Sequence, residues 1–503
     1  MSAPSPLVAF PLGVRLPGRT ALTAQWLLGY SDRGTPGHRL IRDGEIVIED
    51  GVILYAGPAF TGEVARRIDL GAGLISPGLI DLDALSDLDT TILAIDHQPA
   101  WAKGRVWPRS YVERGPYEMY SPEELAFQKK FSFAQLLPYG ITTAAPIASL
   151  FYRAWGETVA EFAAAAQAAG DLGLRVYLGP AYRTGGMVLN APDDMVAEFD
   201  EPRGLAGLHA AIDFIADHHG TQGGPVRGLL APDRVETCTE ALLQRTLAAA
   251  DEMDVPVRLH CAQGDMELAA MRRLHGCTEP EWLARIGGLS PRLIAPHATR
   301  ATPSDLALYA ANGVSIVHCP LVSGRSGGAL HSFARCRDMG INIAMGTDTA
   351  PPDMILNLAI GLSLARHVDD DATALSSATM WDAATLNGAR ALGRSDIGRL
   401  APGCRADIAV FDLADAHMAP TIDPITTLVA GATGRVTRAV FVDGRLSMRN
   451  GMVAGFDMVA ARAQAQVQFD GLLARYPERT WGHPPLDRIF PPSYPPLDPE
   501  VDG

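Results

Sequence analysis

Five polar residues stand where apolar runs of this sequence stop. Asp83 comes just after GLISPGLID, His260 after VPVRL, His297 after RLIAP and Asp348 after INIAMGT, while His318 lies within SIVHCP. Imidazole nitrogens and a carboxylate are the usual ligands of zinc. A carboxylate beside a metal-activated water can also take its proton. Taken together, these strand-end histidines and aspartates predict a divalent metal, zinc first. Plainer roles exist for each residue. A histidine at a strand end is often a half-buried, hydrogen-bonded side chain. His318 is inside its apolar run, which favours structure, and Asp348 can cap the helix that begins near PPDMILNLAIGL.

Such residues meet only if a fold collects the ends of several strands. The middle of the chain has that rhythm. TEALLQRTLAAADEMD (239–254) has helical spacing and VPVRLHC (255–261) reads as a buried strand. TPSDLALYAANG (302–313) opens on a capping residue and closes on glycine, SIVHCP reads as a strand, LHSFARCRDMG (330–340) as a helix and INIAMGTD (341–348) as a strand. Alternating strand and helix predicts a parallel sheet, and at this length a (β/α)₈ TIM-like barrel, with catalytic residues at the C-terminal ends of its strands. The chain ends read differently. EIVIEDGVILY (45–55) carries Asp50-Gly51, and RAVFVDGRLSMRNGMVAG carries Asp443-Gly444 and Asn450-Gly451, three hairpin turns. The predicted class is therefore α/β, a barrel with a small β-sandwich domain built from both chain ends. Its divisions are residues 1–75 and 396–460 for the sandwich, 76–395 for the barrel, and 461–503 for a helical and then proline-rich, extended arm.

Composition narrows the function. The 503 residues are 47% hydrophobic and 20% charged, with a net charge of -15. That charge argues against nucleic acid or an anionic membrane as partner, and no apolar run is long enough for a membrane span. The six cysteines form no CxxC pair, so neither a disulfide framework nor a zinc knuckle is expected. With no recognisable signal peptide, the expected location is the cytoplasm.

Several stretches resemble the amidohydrolase superfamily, in its branch of triazine hydrolases, chlorohydrolases and cytosine/guanine-type deaminases. They are PGLID (77–81), His260, His297, HCP (318–320), GTD (346–348), ATLNGARALG (384–393), IGRLAPGCRADIAVFDL (397–413) and DGRLSMRNG (443–451), in the family's order. The resemblance implies a metal-centred barrel, a composite β-sandwich, and hydrolysis of a small molecule at a non-peptide carbon–nitrogen or related bond. A homodimer is a further family-level expectation.

Two departures alter the expected site. The deaminase-type members bind metal through a first-strand His-x-His, the strand-five histidine and the strand-eight aspartate. Here the first pair is Asp83 and Leu85, and leucine has no donor atom. Three residues after the strand-five histidine those members carry a proton-shuttling glutamate, where this chain has Gln263. A carboxamide does not exchange a proton near neutral pH. Strand four, VRGLLAP, offers no lysine for a two-metal site. As in superfamily members that lack the pair, the resemblance implies a single metal on His260, His297 and a carboxylate, with Asp83 first and Asp81, Asp87 and Asp89 as alternatives; Asp348, also a metal candidate, would serve as general base, with His297 or the metal polarising the scissile bond. A catalytically silent barrel that binds a ligand or partner chain, and a metal-free acid–base hydrolase, are the competing readings. On the substrate side, residues 94–120 mix Trp101, Trp107, Tyr111, Tyr117 and Tyr120 with Arg105, Arg109 and Arg114. That mixture suits a flat or anionic substrate at the barrel mouth, or a dimer interface. Gln263, Arg325, Trp107 and His318 complete the substrate-binding candidates.

Overall fold

The computed structural model describes residues 6–88, 106–148, 150, 152–495 and 497. Eight parallel strands follow one another along the middle of the chain: β1 (Leu79–Leu85), β2 (Ile141–Ile147), β3 (Arg175–Leu178), β4 (Val226–Gly228), β5 (Val257–Arg258), β6 (Leu293–Pro296), β7 (Ser315–His318) and β8 (Asn342–Met345). They pair in sequence order within two four-stranded sheets, β1 to β4 and β5 to β8. Backbone hydrogen bonds run across both seams. Leu230 N–H donates to Pro256 O (3.0 Å) and Arg258 N–H to Leu230 O (2.9 Å), while Asp348 N–H donates to Asp83 O (2.8 Å). One buried apolar cluster draws on both sheets, with Ile80, Leu82, Ala145, Tyr177, Leu229, Ile294, Val317 and Ala344.

The helices between the strands start and stop on local chemistry. Thr239 caps Glu240–Met253, and Thr302 with Asp305 closes a capping box on Pro303–Asn312, which Gly313 ends in the left-handed region. The strand expected over 255–261 is regular only at Val257–Arg258; single bridges then join His260 to Arg234 and Cys261 to His297 before the chain turns at Ala262 (φ 53°).

The chain ends share one nine-stranded sheet. Gly73–Pro77 pairs antiparallel with Ile408–Asp412, Ile75 opposite Val410, which joins the N-terminal strands to the C-terminal ones. All three Asx-Gly pairs form tight turns with positive φ at both residues, as expected of such pairs. Asp50 and Gly51 have φ of 50° and 80°, Asp443 and Gly444 50° and 70°, and Asn450 and Gly451 48° and 76°. This sheet is bonded to the parallel strands by a buried charge network. Arg175 donates to both Asp407 oxygens (2.7 and 3.1 Å) and to Asp443 Oδ1 (2.7 Å).

Two expectations change. The C-terminal arm is not extended throughout: after the helix Met458–Arg475 the chain makes a helical turn at Leu486–Ile489, with Ile489 fully buried. A proline-rich stretch folds back where an apolar anchor is available. The aromatic–basic stretch is also partly turned inward where it is described, while Arg114 stays exposed. Tyr111 and Tyr120 are buried, Arg109 pairs with Glu198 (2.5 Å), and Tyr117 and Arg114 both reach Glu478 (3.0 and 3.1 Å). Trp101 and Arg105 lie outside the described residues, as does Asp89.

Candidate metal centre and active site

Three of the predicted residues converge. Donor atoms of Asp83, His260 and His297 all lie within 4.8 Å of one another. Asp83 Oδ1 is 3.7 Å from His260 Nε2, and Asp83 Oδ2 is 3.7 Å from His297 Nε2. Asp348 joins at the edge, its Oδ2 3.8 Å from His297 Nε2, and is not within the closest three. Each residue comes from the C-terminal end of a strand or from the turn just after it: β1, β5, β6 and β8 respectively.

Local backbone geometry sets these side chains. His297 (φ 75°), Ala298 (φ 53°) and Asp348 (φ 45°) all occupy the left-handed region. That conformation costs energy for residues with a Cβ. Gly346 lets β8 approach β1. A Cβ there would stand 2.6 Å from Asp83 Cβ, 2.8 Å from Val317 Cγ1 and 2.9 Å from Cys319 Sγ. Gly346→Ala is therefore expected to lower stability by about 1–3 kcal/mol, the usual cost of overpacking, and to displace Asp83. Thermal melting and metal content of the purified variant should fall together.

The carboxylates divide by what holds them. Asp81 accepts from Thr347 N–H (3.0 Å), Thr347 Oγ1 (2.5 Å) and Asp83 N–H (3.1 Å), so it braces β1 against β8. Asp87 accepts from Tyr152 Oη. Asp83 is fully buried; among the described residues it accepts only a weak thiol bond at Oδ2, from Cys319 Sγ (3.5 Å), and Oδ1 has no hydrogen-bond partner. Burial pushes the Asp83 carboxyl well above the usual range, against the pull of Arg258. His260 moves the opposite way. Burial, and then the charge of Arg234, hold it well below its ordinary value, so the ring is neutral. Its Nδ1 lies 3.2 Å from Asp233 O, which can only accept. The Nδ1 proton goes there, and the Nε2 lone pair faces the Asp83 carboxylate. When Asp83 is ionised, two electron-rich atoms face each other across 3.7 Å. A cation between them resolves that arrangement. The donor set fits a divalent metal.

The remaining candidates are placed as follows. Gln263 Oε1 accepts from Arg234 Nη1 (2.6 Å), so its amide is tied to the wall beside His260. Trp107 lines a cavity of about 50 Å³ with Arg183, Arg234, Glu236 and Glu267. Arg325 ends the short helix Pro320–Arg325 and is half-buried. His318 is buried against the edge of Phe333 (5.7 Å between ring centres), its ring nitrogens without hydrogen-bond partners among the described residues, and burial lowers it to about 4. Four neighbours of the site escaped the sequence reading: Arg258, Arg234, Cys319 and Arg183. Arg258 carried a signal, since it lies two positions before His260 and so on the same side of an extended strand. The others depend on contacts between distant segments.

Solved structures share this architecture. An adenosine deaminase from Xanthomonas campestris with bound zinc superposes with a TM-score of 0.74 at 22% identity, over 91% of this chain and 99% of that one. A mutant of atrazine chlorohydrolase TrzN from Arthrobacter aurescens, complexed with zinc and atraton, gives 0.75 at 22% identity, over 90% and 100%. In sequence, the 5'-deoxyadenosine deaminase of Methanothermobacter thermautotrophicus is 28% identical over 82% of this chain and 90% of its own length. A 5-methylthioadenosine/S-adenosylhomocysteine deaminase of Nitratidesulfovibrio vulgaris is 29% identical over 88% and 95%. The chain belongs to the amidohydrolase family, whose profile matches residues 74–447. The enzyme class expected from the sequence, hydrolysis at carbon–nitrogen bonds other than peptide bonds, is the class of these deaminase relatives. No helix among the described residues is long and apolar enough to cross a membrane.

Proposed function

We propose that this amidohydrolase-family chain hydrolyses a small molecule at a non-peptide carbon–nitrogen or related bond, through water activated by a single divalent metal, zinc first. Asp83, His260 and His297 would hold that metal. One observation carries the assignment: their donor atoms lie within 4.8 Å of one another, and the His260 lone pair faces Asp83. We read the two parallel sheets as one (β/α)₈ barrel and the nine-stranded sheet as the β-sandwich domain. The hydrogen-bonded seams and the shared core support that reading.

When bound, the metal makes water nucleophilic near neutral pH and polarises the bond under attack. The chain's residues do the rest. Asp348 accepts the proton given up by water and returns it to the departing nitrogen. His297, between Asp83 and Asp348, completes the wall against which the scissile bond lies. The Asp233 carbonyl keeps His260 in its tautomer, and Cys319 steadies Asp83. Trp107, Gln263, Arg325 and His318 are the candidates for substrate contact. Adenosine-type nucleosides, named for the relatives, are the first substrates to assay.

Metal analysis of protein purified without chelator tests the proposal. Wild type should carry about one metal per chain, and His260→Ala and His297→Ala should each lose it. A metal-free wild type would remove the mechanism. One observation favours a second reading, a barrel that binds without turnover: Gln263, tied to Arg234, stands where a proton-shuttling glutamate is expected. Stoichiometric metal with no ammonia release from any nucleoside offered would favour it.

A further inference from the structure

Arg183 is a buried cation with an unpaired edge that is closed to solvent. The residue is 7% exposed, yet its Nε and Nη2 have no hydrogen-bond partner among the described residues. Its nearest carboxylate, Asp233 Oδ2, is 3.9 Å from Nη1, on the other side of the guanidinium. The plane is fixed by aromatic faces, with its carbon 4.9 Å from the Trp107 ring centre and 5.7 Å from that of Trp155. Leaving donors of a charged group unsatisfied in the interior is costly, so the unpaired edge calls for an acceptor.

The edge itself names the acceptor. Elsewhere in the chain the same pair of nitrogens grips a carboxylate with two parallel hydrogen bonds. Arg175 holds Asp407 in this way (2.7 and 3.1 Å), Arg300 holds Asp265 (2.7 and 3.2 Å), and Arg394 holds Asp396 (2.6 and 2.7 Å). Arg183 lines the small cavity it shares with Trp107, about 50 Å³ in volume. That is roomy enough for a carboxylate on a small substituent. Two acidic residues also line it. Glu267 is paired with Arg234 (3.4 Å), and burial pushes the Glu236 carboxyl up to about 8, so it carries a proton that a bound anion can accept. The cavity adjoins the metal site through Asp233 and Arg234: the Asp233 carbonyl holds His260 while the Asp233 carboxylate faces Arg183, and Arg234 lines the cavity and holds Gln263 beside His260.

We infer that Arg183 forms a carboxylate-binding subsite beside the metal centre, and that the substrate carries a carboxylate that docks there. The second half rests on the proposed hydrolase reading; the binding itself does not. Two parallel charge-assisted hydrogen bonds orient the substrate as well as hold it.

Tryptophan fluorescence tests this, because Trp107 and Trp155 stack on Arg183. The purified full-length protein is titrated with acetate and with neutral acetamide, before and after chelator treatment. Acetate should give a saturable change in the millimolar range in both states, and acetamide none. Arg183→Gln should abolish the acetate response, and Arg183→Lys should weaken it roughly tenfold, because it keeps the charge without the fork. No saturable acetate response in the wild type, or an unchanged response in Arg183→Gln with native circular dichroism, would overturn the subsite. If Arg183→Gln fails to fold, the Arg183→Lys titration and the acetate–acetamide contrast decide. A protein that binds acetate but no metal leaves the subsite standing and removes the hydrolase reading instead.

Discussion

Asp348→Asn should lose turnover by roughly 10²–10⁴-fold, the contribution of a positioned general base, while keeping its metal. The substitution is close to isosteric. Asparagine tolerates the left-handed backbone found at this position. The Asp348 N–H to Asp83 O bond involves only main chain, so the fold is expected to survive. What disappears is the ability to take a proton. Asp348 lies outside the tightest donor set, and metal content measured on the same preparation should therefore match the wild type. Ammonia release from 5'-deoxyadenosine, 5'-methylthioadenosine and S-adenosylhomocysteine, the last of which carries a carboxylate, is the first assay. A variant that retains wild-type turnover would remove Asp348 from the chemistry. A variant that loses metal and turnover together would make it a fourth ligand.

The second large effect is at Asp83. Asp83→Asn removes the anionic ligand without opening a cavity, and metal affinity should fall by more than the roughly 10–100-fold that losing a supporting hydrogen bond costs. Cys319→Ala provides that smaller reference, since the thiol supports Asp83 Oδ2 without itself belonging to the donor set. Asp83→Ala should also lower stability, because the buried Arg258 charge loses its strongest carboxylate partner and keeps its bonds to Ala145 O and Pro146 O and the weaker pull of Glu157, Asp233 and Asp348. Competition against a chromophoric zinc chelator ranks the three variants. Equal affinity in wild type and Asp83→Asn would mean that the missing first-strand histidines have no carboxylate substitute.

Much of this site could be read before any fold was known, and the reason is physical. A parallel strand that ends at a site is a buried apolar run followed at once by a polar group, a pattern one segment carries by itself. Asp83, His260, His297 and Asp348 all announce themselves in that way. The Asx-Gly turns are equally local, since the residue pair alone favours positive φ. Arg183 follows GPAY in an ordinary stretch, and nothing nearby says that Trp107 and Trp155 will hold its plane or that its outer edge will stay unpaired. The tie between Arg234 and Gln263, the support of Asp83 by Cys319, and the narrow approach at Gly346 likewise join segments far apart in the chain. Pairings of that kind are decided by packing.

The composite sheet also constrains how the protein is made. Gly73–Pro77 leaves the ribosome early, yet its antiparallel partner Ile408–Asp412 is synthesised only after the whole set of parallel strands. At ordinary elongation rates the wait is on the order of tens of seconds. Throughout it, the N-terminal strands present an unpaired, largely apolar edge that invites association with other nascent chains. The yield of native protein should therefore depend on chaperone supply and on the rate of translation, and the C-terminal strands act as the closing clamp of a structure whose first pieces have long been waiting.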